Sequence, residues 1–308
     1  MSGVATVGVV EFATSGSTGE PVRWRRTVEQ LDAEAALLAS VCGAGGADGI
    51  DGIVCYPPPR HLYGYLMGRA LPDLLGVPCR QVGVTDPPQR AFAGLRRPLV
   101  AALPAAFAAL RRALPVLRRL DRTVVVHSSA MLPAAGPRLV SELDGRARLV
   151  ELFGSTETGL VATRTGGPLW TLAPDTRFAA PLAAGYEGAL RVCGPRLAHR
   201  PDRPAPTDHV LDDLVSIVDD RTFRWLGRLS RLVKVNGRRV HLDAVQDALR
   251  EAVPEVSIEV RATGDEVRGE WFDVVVGDPG AVRAVAAACR RLPAWQQPRT
   301  VRSGEEQT

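Results

Sequence analysis

The chain has 308 residues, 45% hydrophobic and 23% charged, with a formal net charge of +4, enough for two domains and a large buried core. Its most apolar stretch, Leu99 to Leu110, is about half a membrane span and runs into Arg111 and Arg112, which excludes a spanning helix there. No basic block carries interleaved aromatics, which excludes the usual nucleic-acid signature; the charge fits an acidic partner or a phosphate-bearing ligand and equally a solvated arginine-rich surface.

In chain order, the β-branched run Thr6 to Phe12 predicts a strand. The loop Thr14-Ser15-Gly16-Ser17-Thr18-Gly19 follows, then a helix from Thr27 to Val41. Ile53–Tyr56 predicts a buried strand, leading through Pro57–Pro59 to an apolar helix near Tyr63–Leu75. Leu99 to Leu120 has helical spacing, interrupted by Pro104 and Pro115. Within it the Phe107, Leu110, Leu114, Leu117 stripe reads as core, and Arg111, Arg112, Arg118 and Arg119 as a wet face. Thr123–Val126 predicts a strand, Pro133–Leu143 a helix and Leu149–Leu152 a strand. This alternation implies an α/β large domain of layered sheets and helices with parallel pairing.

After Arg200 the chain becomes proline-rich, and Asn236-Gly237 between alternating runs predicts a hairpin. Asp243 is placed to cap a helix through Glu251. Strands at Val256–Val260 and Phe272–Val276 and a helix near Ala281–Arg291 complete a small α+β C-terminal domain. The boundary falls at 226–231, dividing 1–227 from 228–308. Five cysteines, odd in number and without a C-x-x-C pair, suit free thiols in a cytoplasmic protein.

Two segments carry chemistry. Thr14 to Gly19 offers hydroxyls and flexible backbone amides able to wrap phosphates, although it lacks the Walker pattern. Leu152-Phe153-Gly154-Ser155-Thr156-Glu157-Thr158-Gly159 sets a carboxylate among hydroxyls, a donor set suited to Mg²⁺ on phosphate oxygens. Together, TSGSTGEP and ELFGSTETG resemble the adenylate-forming superfamily of acyl- and aryl-CoA synthetases, peptide-synthetase adenylation domains and luciferases. PPPRHLYGYLMG, HSSAMLP, GYEGALRVCGP and LDDLVSIVDDRTFRWLGRLSRLVKVNGRRVHL match further family segments in the same order.

The resemblance implies activation of a small carboxylic acid by ATP and Mg²⁺ as acyl-AMP. Transfer would follow to a thiol of coenzyme A or of the phosphopantetheine of an acidic acyl carrier protein, in secondary metabolism. It assigns Thr14, Ser15, Gly16, Ser17, Thr18 and Gly19 to the phosphates, Thr156 to the α-phosphate, and Glu157 to the metal. Phe153 and Gly154, with Ser129 and Ala130, would meet adenine; Asp213 and Arg228 would bind ribose, and His61 would border the acid. Departures accompany these matches. Val22 stands where relatives carry a lysine, with Arg23 able to substitute as a phosphate clamp. Leu211-Asp212-Asp213 replaces Thr-Gly-Asp, and Ser230 occupies the hinge position. The chain's one lysine, Lys234, falls where relatives place a residue of the second half-reaction, and the family's C-terminal catalytic lysine has no counterpart. The short stretch before the phosphate loop suggests a homodimer mate or partner chain covering an absent N-terminal subdomain. The competing expectations are a degenerate subunit that binds nucleotide or acyl-adenylate without turnover, and an atypical enzyme forming an amide or diazo product.

Overall fold

The structure is a computed structural model and describes residues 8–14, 22–45, 49–128, 132–235, 238–265 and 269–304. The chain forms two compact units. One comprises Met1–Leu182, Arg191–His209 and Asp219–Thr222; the other comprises Ala183–Leu190, Val210–Val218 and Phe223–Thr308.

The first unit is built on a mixed sheet. Five neighbouring strands are parallel: Ala147–Ser155, Thr123–His127, Pro98–Ala102, Gly52–Cys55 and Cys79–Gln81. Gly159–Arg164 and Leu169–Leu172 extend it antiparallel beyond Ala147–Ser155. Gly52–Cys55, Pro98–Ala102 and Thr123–His127 are buried at every position because helices cover both faces. Leu99, Ala101, Val124 and Val126 pack with Phe12, Leu31, Leu38 and Leu71 on one face. Val100, Val125 and Ala102 pack with Phe107, Leu110, Leu117 and Leu139 on the other. Each such large side chain contributes about 1.5–3 kcal/mol on burial.

That two-sided burial corrects the helical expectation at Leu99 to Leu120. Pro98–Ala102 is a fully buried strand, and helix begins only at Ala106–Arg112 and resumes at Leu114–Leu117. A short apolar run has no periodicity by which strand and helix could be told apart. The expected core stripe holds, with Leu114 at its edge, and all four arginines are exposed. The first strand lies at Val9–Thr14, and a second, Val22–Thr27, pairs antiparallel with it where no strand was expected. Its VRWRRT sequence hides the pattern, because the inward side chain is an arginine.

Helix Val28–Val41 starts at a capping box between Thr27 and Gln30. The apolar helix over 62–75 contains a π-helical turn at Leu66–Ala70, a feature frequent near functional sites. Gly64 permits its first turn, since a Cβ there would sit 1.9 Å from the Pro58 carbonyl oxygen.

The second unit has its own core of Val233, Val240, Leu249, Phe272, Val274 and Val285. Ile258–Asp265 and Gly269–Val276 pair antiparallel, and Val301–Ser303 adds in parallel. Helices Leu242–Ala252 and Val282–Cys289 pack on this sheet. Leu232–Val235 and Arg238–His241 form the expected hairpin, whose Asn236-Gly237 turn lies outside the described residues. The cap expected of Asp243 is absent. The N-cap is His241, and Asp243 sits in the first turn, accepting from the Arg228 N–H and pairing with the Arg231 guanidinium.

Candidate active site

The strands Val9–Thr14 and Val22–Thr27 pair antiparallel with Thr14 opposite Val22, and the expected phosphate loop falls in the sequence between them. Ser15, Gly16, Ser17, Thr18 and Gly19 lie outside the described residues, as do Ser129 and Ala130. Thr14 is described, and its Oγ1 accepts from Trp24 Nε1 at 3.3 Å. Arg23 is exposed and bonds Glu11 at 3.3 Å, with Arg25 on the same carboxylate at 2.6 Å. Those pairs hold the Glu11 carboxyl below its usual range, Arg25 contributing most.

Arg26 sits deeper in the hairpin. Its side chain is fully buried and donates to the Thr156 carbonyl through Nε at 3.2 Å and Nη2 at 3.1 Å. Nη1 donates to Glu34 at 3.1 Å, from the inward face of helix Val28–Val41. Glu34 also accepts the Leu160 N–H at 2.7 Å. Arg196 completes the group, bonding the Leu160 carbonyl at 2.6 Å and Asp175 at 2.7 and 2.8 Å, with Glu34 3.6 Å away. Burial lowers the Arg26 pKa, with Glu34 opposing and Arg196 adding to the drop. Burial also works against the Arg196 cation, but Asp175 and Glu34 outweigh it and hold its pKa above the usual value. Buried charges persist when paired and hydrogen-bonded, and Arg26, Glu34 and Arg196 are each paired here, although Arg196 Nη1 has no hydrogen-bond partner among the described residues.

These residues grip both ends of the turn that carries Thr156 and Glu157. The strand Ala147–Ser155 runs directly into it, further than expected. Inside the turn, Ser155 N–H donates to Thr158 Oγ1 at 3.1 Å, and Thr158 N–H to Ser155 Oγ at 3.3 Å. Gly159 has φ +68, and a Cβ there would lie 2.5 Å from a Glu34 oxygen. A Cβ on Gly154 would lie 2.0 Å from the Gly159 carbonyl oxygen. Thr156 and Glu157 are half-buried on the turn, and the Glu157 carbonyl accepts from Ala198 N–H at 2.8 Å.

Phe153 packs on Trp170 with ring centroids 5.2 Å apart, and the Arg164 guanidinium covers Trp170 at 4.4 Å. Arg164 is in turn held by Glu151 through bonds of 2.7 and 2.6 Å. His61 is exposed at the start of helix Leu62–Tyr65, its backbone rather than its ring making the local hydrogen bonds.

In the second unit Asp213 stands directly across the strand pair from Arg228 and accepts from Trp225 Nε1 at 2.7 Å. Burial pushes its carboxyl up, opposed by the Trp225 bond and the Arg228 charge. Ser230 donates its N–H to Asp212 at 2.9 Å and also bonds it through the hydroxyl. Lys234 lies opposite Arg239 in the hairpin, and its side chain is outside the described residues.

The structure therefore ties the turn that carries Gly154, Thr156 and Glu157 to the Arg26 end of the hairpin, through residues that sequence reasoning missed: Arg26, Glu34, Asp175 and Arg196. Glu34 was the legible one, a carboxylate three residues after Leu31 and four before Leu38 on the buried helix face. Among the described residues no three His, Cys, Asp or Glu side chains cluster as a metal cage. A lone carboxylate beside hydroxyls fits Mg²⁺, which takes few protein ligands and fills its shell with phosphate and water.

No family model matches the chain. It is 30% identical over 297 residues to 4-coumarate–CoA ligase of Rhodobacter capsulatus, covering 93% of this chain and 70% of that protein. It is 29% identical to the 4-coumarate–CoA ligase of Halorhodospira halophila, covering 96% and 72% respectively. Over 149 residues it is 37% identical to an isonitrile lipopeptide synthase of Streptomyces coeruleorubidus, 10% of that protein. Its fold matches ATP-bound MatB of Rhodopseudomonas palustris at TM-score 0.75 and 19% identity, covering 94% of this chain and 63% of that one. O-succinylbenzoate coenzyme A synthetase of Bacillus subtilis, solved with ATP and magnesium, matches at TM-score 0.71 and 16% identity, with 65% of its length spanned.

Proposed function

The chain belongs to the adenylate-forming superfamily of CoA ligases, and from that premise we propose that it activates a carboxylic acid with ATP. The acyl group of the resulting acyl-AMP passes to a thiol of coenzyme A or a carrier protein. The observation that supports this best is the buried clamp joining the foot of the phosphate-loop hairpin to the turn bearing Thr156 and Glu157. The hairpin strand that follows the expected phosphate loop is thereby bonded directly to that turn.

Attack of a carboxylate on the α-phosphorus opposes like charges, so oriented donors and cations must neutralise the triphosphate. The loop from Thr14 to Gly19 supplies hydroxyls and amides for the phosphates, with Arg23 as clamp. The Thr156 hydroxyl serves the α-phosphate. Bound Mg²⁺ would offset phosphate charge, held by Glu157. Phe153, resting on Trp170, offers a face for adenine beside Gly154, Ser129 and Ala130. Asp213, aligned by Trp225, accepts the ribose hydroxyls with Arg228 at its side, and His61 borders the acid. The division into a large AMP-binding domain over 1–227 and a mobile small domain over 228–308 belongs to this reading. In it, Ser230 is the hinge and Lys234 enters for the second half-reaction.

ATP–pyrophosphate exchange with a pooled library of acids tests the proposal. Acid-dependent exchange that falls at least ~10²-fold in Glu157→Ala supports it. Absence of exchange with every acid, while ATP still raises Tm, would favour a nucleotide-binding subunit instead.

A further inference from the structure

The geometry points to Arg26 and Glu34 as positioning residues: a buried salt bridge that sets the Thr156–Glu157 turn on the phosphate-loop hairpin, so that the Glu157 carboxylate is held where a magnesium-bound nucleotide needs it. The proposal rests on the ligase reading of that turn.

Arg26 reaches the turn from the hairpin, two bonds converging on the Thr156 carbonyl. Glu34 reaches it from the following helix, taking the Leu160 N–H just past the turn. The two meet at 3.1 Å, both nearly free of solvent. One ion pair thus fixes the turn at entry and exit, while the Glu157 backbone oxygen is fixed by Ala198. The turn's own Ser155–Thr158 bonds shape it but do not place it. A fold in need of stability alone would gain more from apolar side chains of similar volume, since buried ion pairs are often replaced without loss. What an apolar pair cannot do is hold a carbonyl and an N–H of a polar turn at once. Arg26 is suited to this by its planar fork, which spans the carbonyl and the carboxylate together; a lysine offers a single point.

Removing Glu34 would leave Arg26 buried without its counter-ion, and removing Arg26 would leave Glu34 only the looser contact with Arg196 at 3.6 Å, so the test uses Arg26→Met/Glu34→Gln, which is neutral and keeps an acceptor for Leu160 N–H. Arg26→Lys is the second variant and retains the charge. Thermal melting is followed with ATP alone and with ATP plus Mg²⁺, alongside ATP–pyrophosphate exchange. In the unaltered chain Mg²⁺ should add to the Tm rise given by ATP. In the double variant that Mg²⁺ increment should fall to less than about a third, while the rise with ATP alone persists. Exchange should drop at least ~30-fold, mainly in kcat, consistent with misplacement by about 1 Å. Arg26→Lys should recover part of the increment. A double variant that melts lower yet keeps the full Mg²⁺ increment would overturn the proposal, as would an unaltered chain with no increment. If the double variant does not fold, Arg26→Lys decides: a full increment refutes and a reduced one supports. An unaltered chain showing the increment but no exchange with any acid would sink the ligase reading and leave the positioning role standing.

Discussion

Replacing Gly154 by alanine should damage the turn out of proportion to one methyl group. The new Cβ would lie 2.0 Å from the Gly159 carbonyl oxygen and 2.9 Å from its carbon, where real contacts do not fall below 3.0 Å. The obstacle is backbone, and that carbonyl is itself held by Thr158 Oγ1 at 3.0 Å, so the turn must shift by about 1 Å. Such overpacking costs about 1–3 kcal/mol, and a shift of about 1 Å at a reacting centre costs on the order of 10²-fold in rate. For a unit of this size about 2 kcal/mol lowers Tm by roughly 4–8 °C. Circular-dichroism melting and pyrophosphate exchange measure the two effects on one preparation. Gly45→Ala is the control, because nothing lies within 4 Å of its added Cβ. Were Gly154→Ala to melt and exchange like that control, the turn would not be the tight catalytic element described.

The same logic applies at the helix start. Gly64→Ala drives a Cβ onto the Pro58 carbonyl at 1.9 Å and should cost about 3 kcal/mol, read as a lower Tm or loss of soluble protein. Trp225→Phe removes the 2.7 Å bond to Asp213, and the loss of a bond to a charged acceptor predicts a roughly tenfold higher KM for ATP with kcat little changed. Burial pushes the Asp247 carboxyl up to about 6, chiefly against the Arg250 charge. A raised carboxyl favours the folded state below its unfolded pKa and loses that contribution as pH climbs through 6. Asp247→Asn should therefore stabilise by roughly 1 kcal/mol at pH 8, allowing for solvent screening of a partly exposed group, and by nothing near pH 4. A melt that shifts equally at both pH values contradicts this.

The layered fold was legible because hydrophobic runs and turn residues alternate in a way few architectures accept. Thr14 to Gly19 and the GSTETG motif stood out only as a pair matching family segments, since hydroxyl- and glycine-rich turns after a strand are common in ordinary loops. Pro98–Ala102 was not, since a strand buried on both faces is apolar at every position and has lost its period. Val22–Thr27 was not, because three arginines disguise a strand whose inward residue is Arg26. The clamp itself could not be read, since it joins residues 26, 34, 175 and 196 to positions 156 and 160, and nothing local in the sequence pairs them. Glu34, charged on an otherwise apolar helix face, was the one local sign. The π-helical turn at Leu66–Ala70 left no sign at all.

A double-mutant cycle on ATP turnover tests most directly whether the hairpin and the turn serve one nucleotide. Ser17→Ala, Thr156→Ala and the double variant are compared by kcat/KM for ATP in acid-dependent exchange. Groups that hold the same phosphates should couple by about 1 kcal/mol or more, so the second substitution costs much less than the first. Additivity to within about 0.5 kcal/mol would mean that the two segments act independently, and the account of a single adenylating site would fail.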